Sequence, residues 1–433
     1  MKLFFQADNL LKKMPAMAIF LIPLLLIYFT DSILSFIFPI VVENLSDSNT
    51  LLGLIMSLSA LIGLICDLIF PQYLKKHSWR FMLFLAIIIE FIFLLTTIFG
   101  QMFQVIGFFL LGSLIWGIYY ELLYFYIQNF MVVHEQQENY TKFWSVIYAA
   151  AYVTGIIGPI IGSYLLEQPL EKTAIPLFLL ISLAAVFAFL SLARFHGAAR
   201  ALKYPEGYRH KSKFSILKEL RVWKIFSKRI LPLIIISLTL VFIEATFYTI
   251  GGLFGQEITE EITTGFLANA NLDWVPMILY SFPMTIGNII ISRLNISHGK
   301  KRQALKFLLF GSLLLIPIGI FPRQYLLIFL SIFLASLMLS FSGPLLQAVF
   351  SDLVKRSQDF KEDLVGLSSA TSSLAYIIGP VVIGILADNT GYHTTFAIIG
   401  SAGVLIAVLF LLIMPKKLKV PLGELNHSET SNG

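Results

Sequence analysis

Charge is what this chain has least of. Only 13% of its 433 residues are Asp, Glu, Lys or Arg, about half the share in a soluble domain, so polar groups cannot cover a water-facing surface. A water-soluble fold is excluded on that count. Cysteine is nearly missing too: Cys66 is the single copy, which rules out an internal disulfide framework and a cysteine-built metal site. No Gly-x-x-x-x-Gly-Lys-Ser/Thr loop occurs, so the chain carries no ATP-driven motor of its own. The stretch His134-Glu135-Gln136-Gln137-Glu138 approaches a zinc-protease motif but lacks the second histidine. With no readable nucleophile–base pair, the chain is not expected to be an enzyme, nor to need a cofactor or metal.

What fills the chain instead is apolar. Hydrophobic residues make up 57% and the mean hydropathy is +0.83, gathered in runs of about 20 residues, the length that crosses a hydrocarbon core. Spans are expected near 17–42, 51–72, 81–99, 103–132, 144–166 and 174–195, then near 231–256, 275–292, 304–322, 324–350, 365–387 and 393–414. The run from Met17 to Val42 is too long for a signal peptide and lacks a cleavage site, so it is expected to stay as the first span.

The basic residues test that count. If both termini are cytoplasmic, the inner segments hold all but two of the 31 Lys and Arg, the exceptions being Lys172 and Arg323. A missed or extra span would invert this alternation from that point onward. The net charge of +6 thus marks the inner membrane face rather than nucleic acid. The expected organisation is all-α: an N-terminal six-helix half at 1–195, a basic linker at 196–230, a C-terminal six-helix half at 231–414 and a tail at 415–433. Within the linker, apolar Phe214, Ile216, Leu217, Leu220, Ile225 and Phe226 interleave with Lys213, Lys218, Arg221 and Lys224. This pattern predicts an amphipathic helix on the inner membrane surface.

An internal repeat supports the division. Span five reads Gly155-Ile-Ile-Gly158-Pro159-Ile-Ile-Gly162, and span eleven reads Ile377-Ile-Gly379-Pro380-Val-Val-Ile-Gly384. Glycines allow helices to approach closely, and proline removes a backbone donor so that a helix can kink. Between spans two and three, Gly63-Leu-Ile-Cys-Asp67 is followed by Lys75, Lys76 and Arg80. Span one carries Asp31 and, eight residues on, Pro39. On these features the chain resembles the major facilitator superfamily over nearly its whole length. Its first span is similar to that of the tetracycline-type, twelve-helix drug–proton antiporters, which the chain resembles. The resemblance implies two parallel six-helix pseudo-repeats and makes Asp67, Gly155, Gly158, Pro159, Gly379 and Pro380 conformational residues. The chain departs from that pattern where Leu68 replaces the Arg after the acid, where Ile291 replaces the second acid, and where Ser113 stands for a span-four Arg.

Four carboxylates fall near the centres of spans: Asp31, Glu90, Glu121 and Glu244. Each costs about 2.5–3.5 kcal/mol to insert, so such acids face an interior or a wet cavity. No Lys or Arg lies inside a span to pair with them. A carboxylate so placed either holds a proton or meets a cation from outside. The resemblance puts spans one, four, seven and ten on the central cavity, and with them Asp31, Glu121 and Glu244. Glu90, on a peripheral span, is expected to bond a neighbouring helix. Trp116, Tyr120, Tyr124 and Gln128 recur every fourth residue along one face of span four. Tyr28 and Ser35 flank Asp31, Tyr248 follows Glu244 by one turn, and span ten adds Ser340, Gly343, Pro344 and Gln347. Aromatic faces suit organic cations.

The resulting expectation is a monomeric secondary transporter in the plasma (inner) membrane, exchanging protons for a small amphipathic or cationic solute. Two alternatives stay open. One is proton-coupled uptake of a neutral or zwitterionic nutrient; the other is a channel or transport-dead sensor on the same scaffold. Single, asymmetric acids speak against a channel, which would show rings of like residues.

Overall fold

In a hydrocarbon core every backbone polar group must be satisfied within its own segment, which leaves the apolar runs one choice. The computed structural model describes residues 16–73, 79–134, 140–194, 216–262, 270–293, 299–356 and 361–414, and these form twelve helices. The first six are α1 (Ala16–Ser46), α2 (Asn49–Tyr73), α3 (Trp79–Phe103), α4 (Ile106–His134), α5 (Tyr140–Leu166) and α6 (Leu170–Arg194). The second six are α7 (Ile216–Glu261), α8 (Val275–Arg293), α9 (Lys300–Ile320), α10 (Tyr325–Arg356), α11 (Lys361–Thr390) and α12 (Tyr392–Ile413). Ten are long and apolar enough to cross a membrane, and Ala174–Ala188 and Val275–Ile291 are shorter apolar helices. The all-α expectation of twelve helices therefore stands.

The buried apolar side chains fall into two clusters. One runs from Phe20 to Ala188 and takes in Leu253 and Met277; the other runs from Ile230 to Phe410. The linker reading needs one amendment. Residues 216–229 do not make a helix of their own but run on into the seventh span as one helix of 46 residues. Residues 195–215 lie outside the described residues, as do Lys75, Lys76 and both chain ends.

The two halves meet closely at the end of the bundle that holds the turns at Asp47 and Gly391, the end expected to be outer. Asp47 and Gln104 take positive φ angles of 49° and 55° at tight turns. Ser48 caps α2, its Oγ accepting from the Leu51 N–H at 3.2 Å. Asp388 of α11 then sits on the same helix start. It accepts from the Asn49 and Thr50 backbone N–H at 2.7 and 2.8 Å and from the Thr50 hydroxyl at 2.6 Å. A carboxylate at a helix N-terminus satisfies orphan N–H groups and meets the positive end of the dipole. Tyr392 adds a bond from its hydroxyl to Asn49 Oδ1 at 3.1 Å, and Asn271 donates to Glu167 at 2.6 Å. Only glycine fits between these helices. A Cβ on Gly53 would stand 2.6 Å from the Pro380 carbonyl carbon, and one on Gly384 2.6 Å from that of Asn49.

The expected topology makes a direct test. With Cys66 replaced by serine and a cysteine placed at exposed Glu260, in the last turn of α7, an impermeant maleimide should label intact cells. Labelling only after lysis would invert the topology.

Candidate functional site

The interior acid of the first half is held by two aromatic donors. Asp31 is 9% exposed; its Oδ1 accepts from the Trp116 indole N–H at 2.8 Å, and its Oδ2 from the Tyr120 hydroxyl at 3.0 Å. Trp116 and Tyr120 are one turn apart on α4, which is why both reach the same carboxylate. The indole is fixed in turn by stacking on Phe93, with ring centroids 5.0 Å apart and planes at 10°, and by Phe38 at 5.6 Å. Ser35 donates to the Asp31 backbone carbonyl at 2.7 Å. Tyr120 bonds an interior acid yet is 40% exposed, so it borders an open space inside the bundle. Tyr124, one turn on, is 41% exposed, and Gln347 of α10 is also exposed. The Gln128 side chain lies outside the described residues.

The interior acid of the second half is Glu244. Tyr376 of α11 hydrogen-bonds it, and Tyr148 and Tyr152 of α5 and Tyr280 of α8 lie within range of its charge. Tyr280 stacks on Phe247 at 4.3 Å. Tyr248 feels both Glu244 and Asp31, and Tyr28 feels Asp31. The two acids, one from each half, thus share a tyrosine-lined interior. Every Lys and Arg of the described helices lies in a terminal turn or two, or in α7 ahead of Ile230.

The other expected residues have neighbours of their own. Glu121 packs against α2, where a Cβ on Gly63 would lie 3.1 Å from its Oε1. This is the first glycine of the Gly63–Asp67 stretch, whose Asp67 side chain is outside the described residues. Ser113, standing where an Arg was sought, turns its hydroxyl to the Ile55 backbone carbonyl on α2. Gly158 is packed tightly against Ser32, beside Asp31; an added Cβ would come 2.8 Å from the Ser32 carbonyl carbon. Gly155 and Gly379 have room, with nearest neighbours Ser281 Oγ at 3.7 Å and Ala245 Cβ at 3.4 Å. Pro159 and Pro380 are buried.

Glu90 corrects an expectation. It is 1% exposed, and neither carboxyl oxygen has a hydrogen-bond partner among the described residues, whereas the sequence suggested a bond to a neighbouring helix. Tyr119, whose hydroxyl is also buried without a partner among the described residues, lies within range of its charge. The sequence reading also missed Tyr148, Tyr152, Tyr280 and Tyr376. A weak signal was present: Tyr152 and Tyr376 each precede a repeat-related Gly-Pro pair by one or two turns.

A family model described as Major Facilitator Superfamily matches residues 19–270 and again 247–428. No curated protein sequence matches the chain. Among solved structures, the nucleoside transporter NupG is similar at a TM-score of 0.70 and 13% identity, over 93% of this chain and 100% of that one. A mutant of NupG gives 0.67 and 14%, with the same coverage. The human organic anion transporter MFSD10 (TETRAN) gives 0.60 and 16%, over 92% of this chain and 100% of that one. At these identities the likeness is one of fold.

Proposed function

This chain belongs to the Major Facilitator Superfamily, and on that premise we propose that it exports a small cationic or amphipathic solute in exchange for protons. That it is a transporter rather than an enzyme follows from the family; direction, solute and coupling ion are our reading. The carrying observation is the pair Asp31 and Glu244, one carboxylate from each half, in a single interior lined by Tyr28, Tyr120, Tyr248 and Tyr376. Among the described helices, Lys and Arg are confined to terminal turns and to α7 ahead of Ile230, so none stands at the depth of these acids. Desolvation favours the neutral acid, while a bound cation favours the ionised one. Solute entry then expels a proton, and reorientation of the two halves around the fixed site exposes it to the other side. Tyrosine faces bind the cation's apolar body and charge together. The drug–proton antiporters resembled by the Asp31–Pro39 stretch and by Gly158-Pro159 fit this scheme. We read the chain as a monomer in the plasma (inner) membrane, and its basic-residue distribution supports having both termini inside.

A second reading, uptake of a neutral or zwitterionic nutrient, draws on the likeness to a nucleoside transporter and on tyrosine faces that also stack on neutral rings. Purified protein in lipid vesicles decides between them. With a pH gradient, an organic-cation panel should move against its own gradient, and nucleosides should not. Gradient-driven movement of nucleosides alone would establish the second reading.

A further inference from the structure

At the outer end of the second half, well away from the tyrosine-lined interior, three ligand-type side chains from two helices converge. Glu257 and Glu261 are one turn apart at the end of α7, and His393 is the second residue of α12. One donor atom from each lies within 4.8 Å of the other two. The imidazole is 8% exposed, and its Nδ1 stands 3.2 Å from the Ile318 carbonyl oxygen. Donation to that carbonyl sets the tautomer and leaves Nε2 as an acceptor. Nε2 faces the acids, 3.8 Å from Glu261 Oε2, and has no hydrogen-bond partner among the described residues. Glu257 Oε2 is likewise buried and without a partner there.

Further contacts hold the three groups in place. Phe254 meets the imidazole edge-on at 4.8 Å, and the Tyr325 hydroxyl donates to Glu261 Oε2 at 3.2 Å. Two carboxylates four residues apart on a helix repel one another; among the described residues their ion pair is that of Glu261 with His393, and Arg323 lies beyond Tyr325. A buried, oriented imidazole nitrogen aimed at such a pair is an arrangement that a cation completes.

The geometry points to a divalent transition-metal site formed by His393 Nε2, Glu257 and Glu261, suited to zinc, with a fourth position left to water. One imidazole and two carboxylates match zinc's preferences, whereas calcium asks for six to eight oxygens. Tetrahedral zinc with bonds of about 2.0–2.1 Å needs donors roughly 3.4 Å apart, which small side-chain rotations reach from the present spacing. Water and metal have access through Glu261, whose side chain is 42% exposed. All three ligands belong to the second half, so a bound metal staples α7 to α12 without bridging the two halves. It also steadies Tyr392, the neighbour of His393 that bonds Asn49 across the closed outer end.

The test uses tag-free, full-length protein in detergent, stripped with a chelator. Zinc chloride should bind in calorimetry with one tight site, cobalt(II) should give ligand-field absorption bands of a low-coordinate nitrogen–oxygen site, and zinc should raise the melting temperature. His393→Ala should weaken zinc binding by at least about tenfold and abolish the cobalt bands. The double variant Glu257→Gln/Glu261→Gln should do the same while preserving the helical circular-dichroism spectrum and elution volume. Should the parent protein lack a saturable zinc site, or should either variant bind zinc as the parent does, the assignment is overturned. If a variant fails to fold, the cobalt spectrum of the parent decides: octahedral, water-like bands overturn the site.

Discussion

Replacing Asp31 with asparagine is expected to reduce pH-driven flux to below about a hundredth while leaving the protein folded and inserted. The surroundings explain why the two effects separate. Trp116 can only donate, so the asparagine would turn its oxygen to the indole that now bonds Oδ1 at 2.8 Å. Its amide then faces the Tyr120 hydroxyl, which can accept as readily as donate. The local hydrogen bonds survive, but the group can no longer exchange a proton, and coupling fails. Glu244→Gln should behave alike, since the Tyr376 hydroxyl can still donate to the amide oxygen. Glu121→Gln should have a smaller effect, because that carboxylate packs on Gly63 of α2. Flux in vesicles, together with size-exclusion profiles, measures all three. Full gradient-driven flux in both Asp31→Asn and Glu244→Gln would make these acids structural and end the antiport reading.

The substitution Gly53→Leu should lower transport at least tenfold by a different route. At this position α2 and α11 touch through backbone, with the Pro380 carbonyl where a side chain would begin. Backbone cannot rotate away as a side-chain tip can, so the arrangement in which the two halves close at this end becomes inaccessible. About 5.5 kcal/mol suffices to turn a 99:1 equilibrium into 1:99. Folding should be spared, because each half has its own buried core and the clash lies between them. Gly155→Ala is the control, since its nearest neighbour is 3.7 Å from an added Cβ. A cysteine at Tyr120 should react faster with an impermeant reagent applied from outside in the Gly53→Leu background. Unchanged transport with unchanged labelling would show that the two helices separate at little cost.

Much of this architecture was legible because lipid leaves so few options. Twelve apolar runs of spanning length had to be helices, and the alternation of Lys and Arg between their ends checked the count. Asp31 stood out as a mid-span acid, and the four-residue spacing of Trp116 and Tyr120 already put them on one face. What stayed hidden depended on neighbours distant in sequence. Pro380 could be read as a kink in its own helix, but nothing near it announced that Gly53 would receive its carbonyl. Glu90 was read as bonded because buried acids usually are; only packing reveals that its carboxyl oxygens have no hydrogen-bond partner among the described residues. Tyr152 and Tyr376 passed unremarked, since a lone tyrosine in a span is most often packing. His393 and the acids of α7 are more than a hundred residues apart, and nothing in their local sequence pairs them until the helices bring them together.

The want of basic side chains beside Asp31 and Glu244 has an electrical consequence. An empty carrier with both acids ionised moves two uncompensated negative charges whenever it reorients. Across a membrane each charge is worth about 2.3 kcal/mol per 100 mV, so the two together reach roughly 5 kcal/mol per 100 mV if they traverse the whole field. On the proposed exchange, an inside-negative potential therefore drives the unloaded, deprotonated carrier to face outward, where it would take up protons. Once both acids are protonated, the return is electrically silent. Voltage would thus bias only the brief stage between loss of solute and uptake of protons, and losing the potential would slow the carrier at that stage alone.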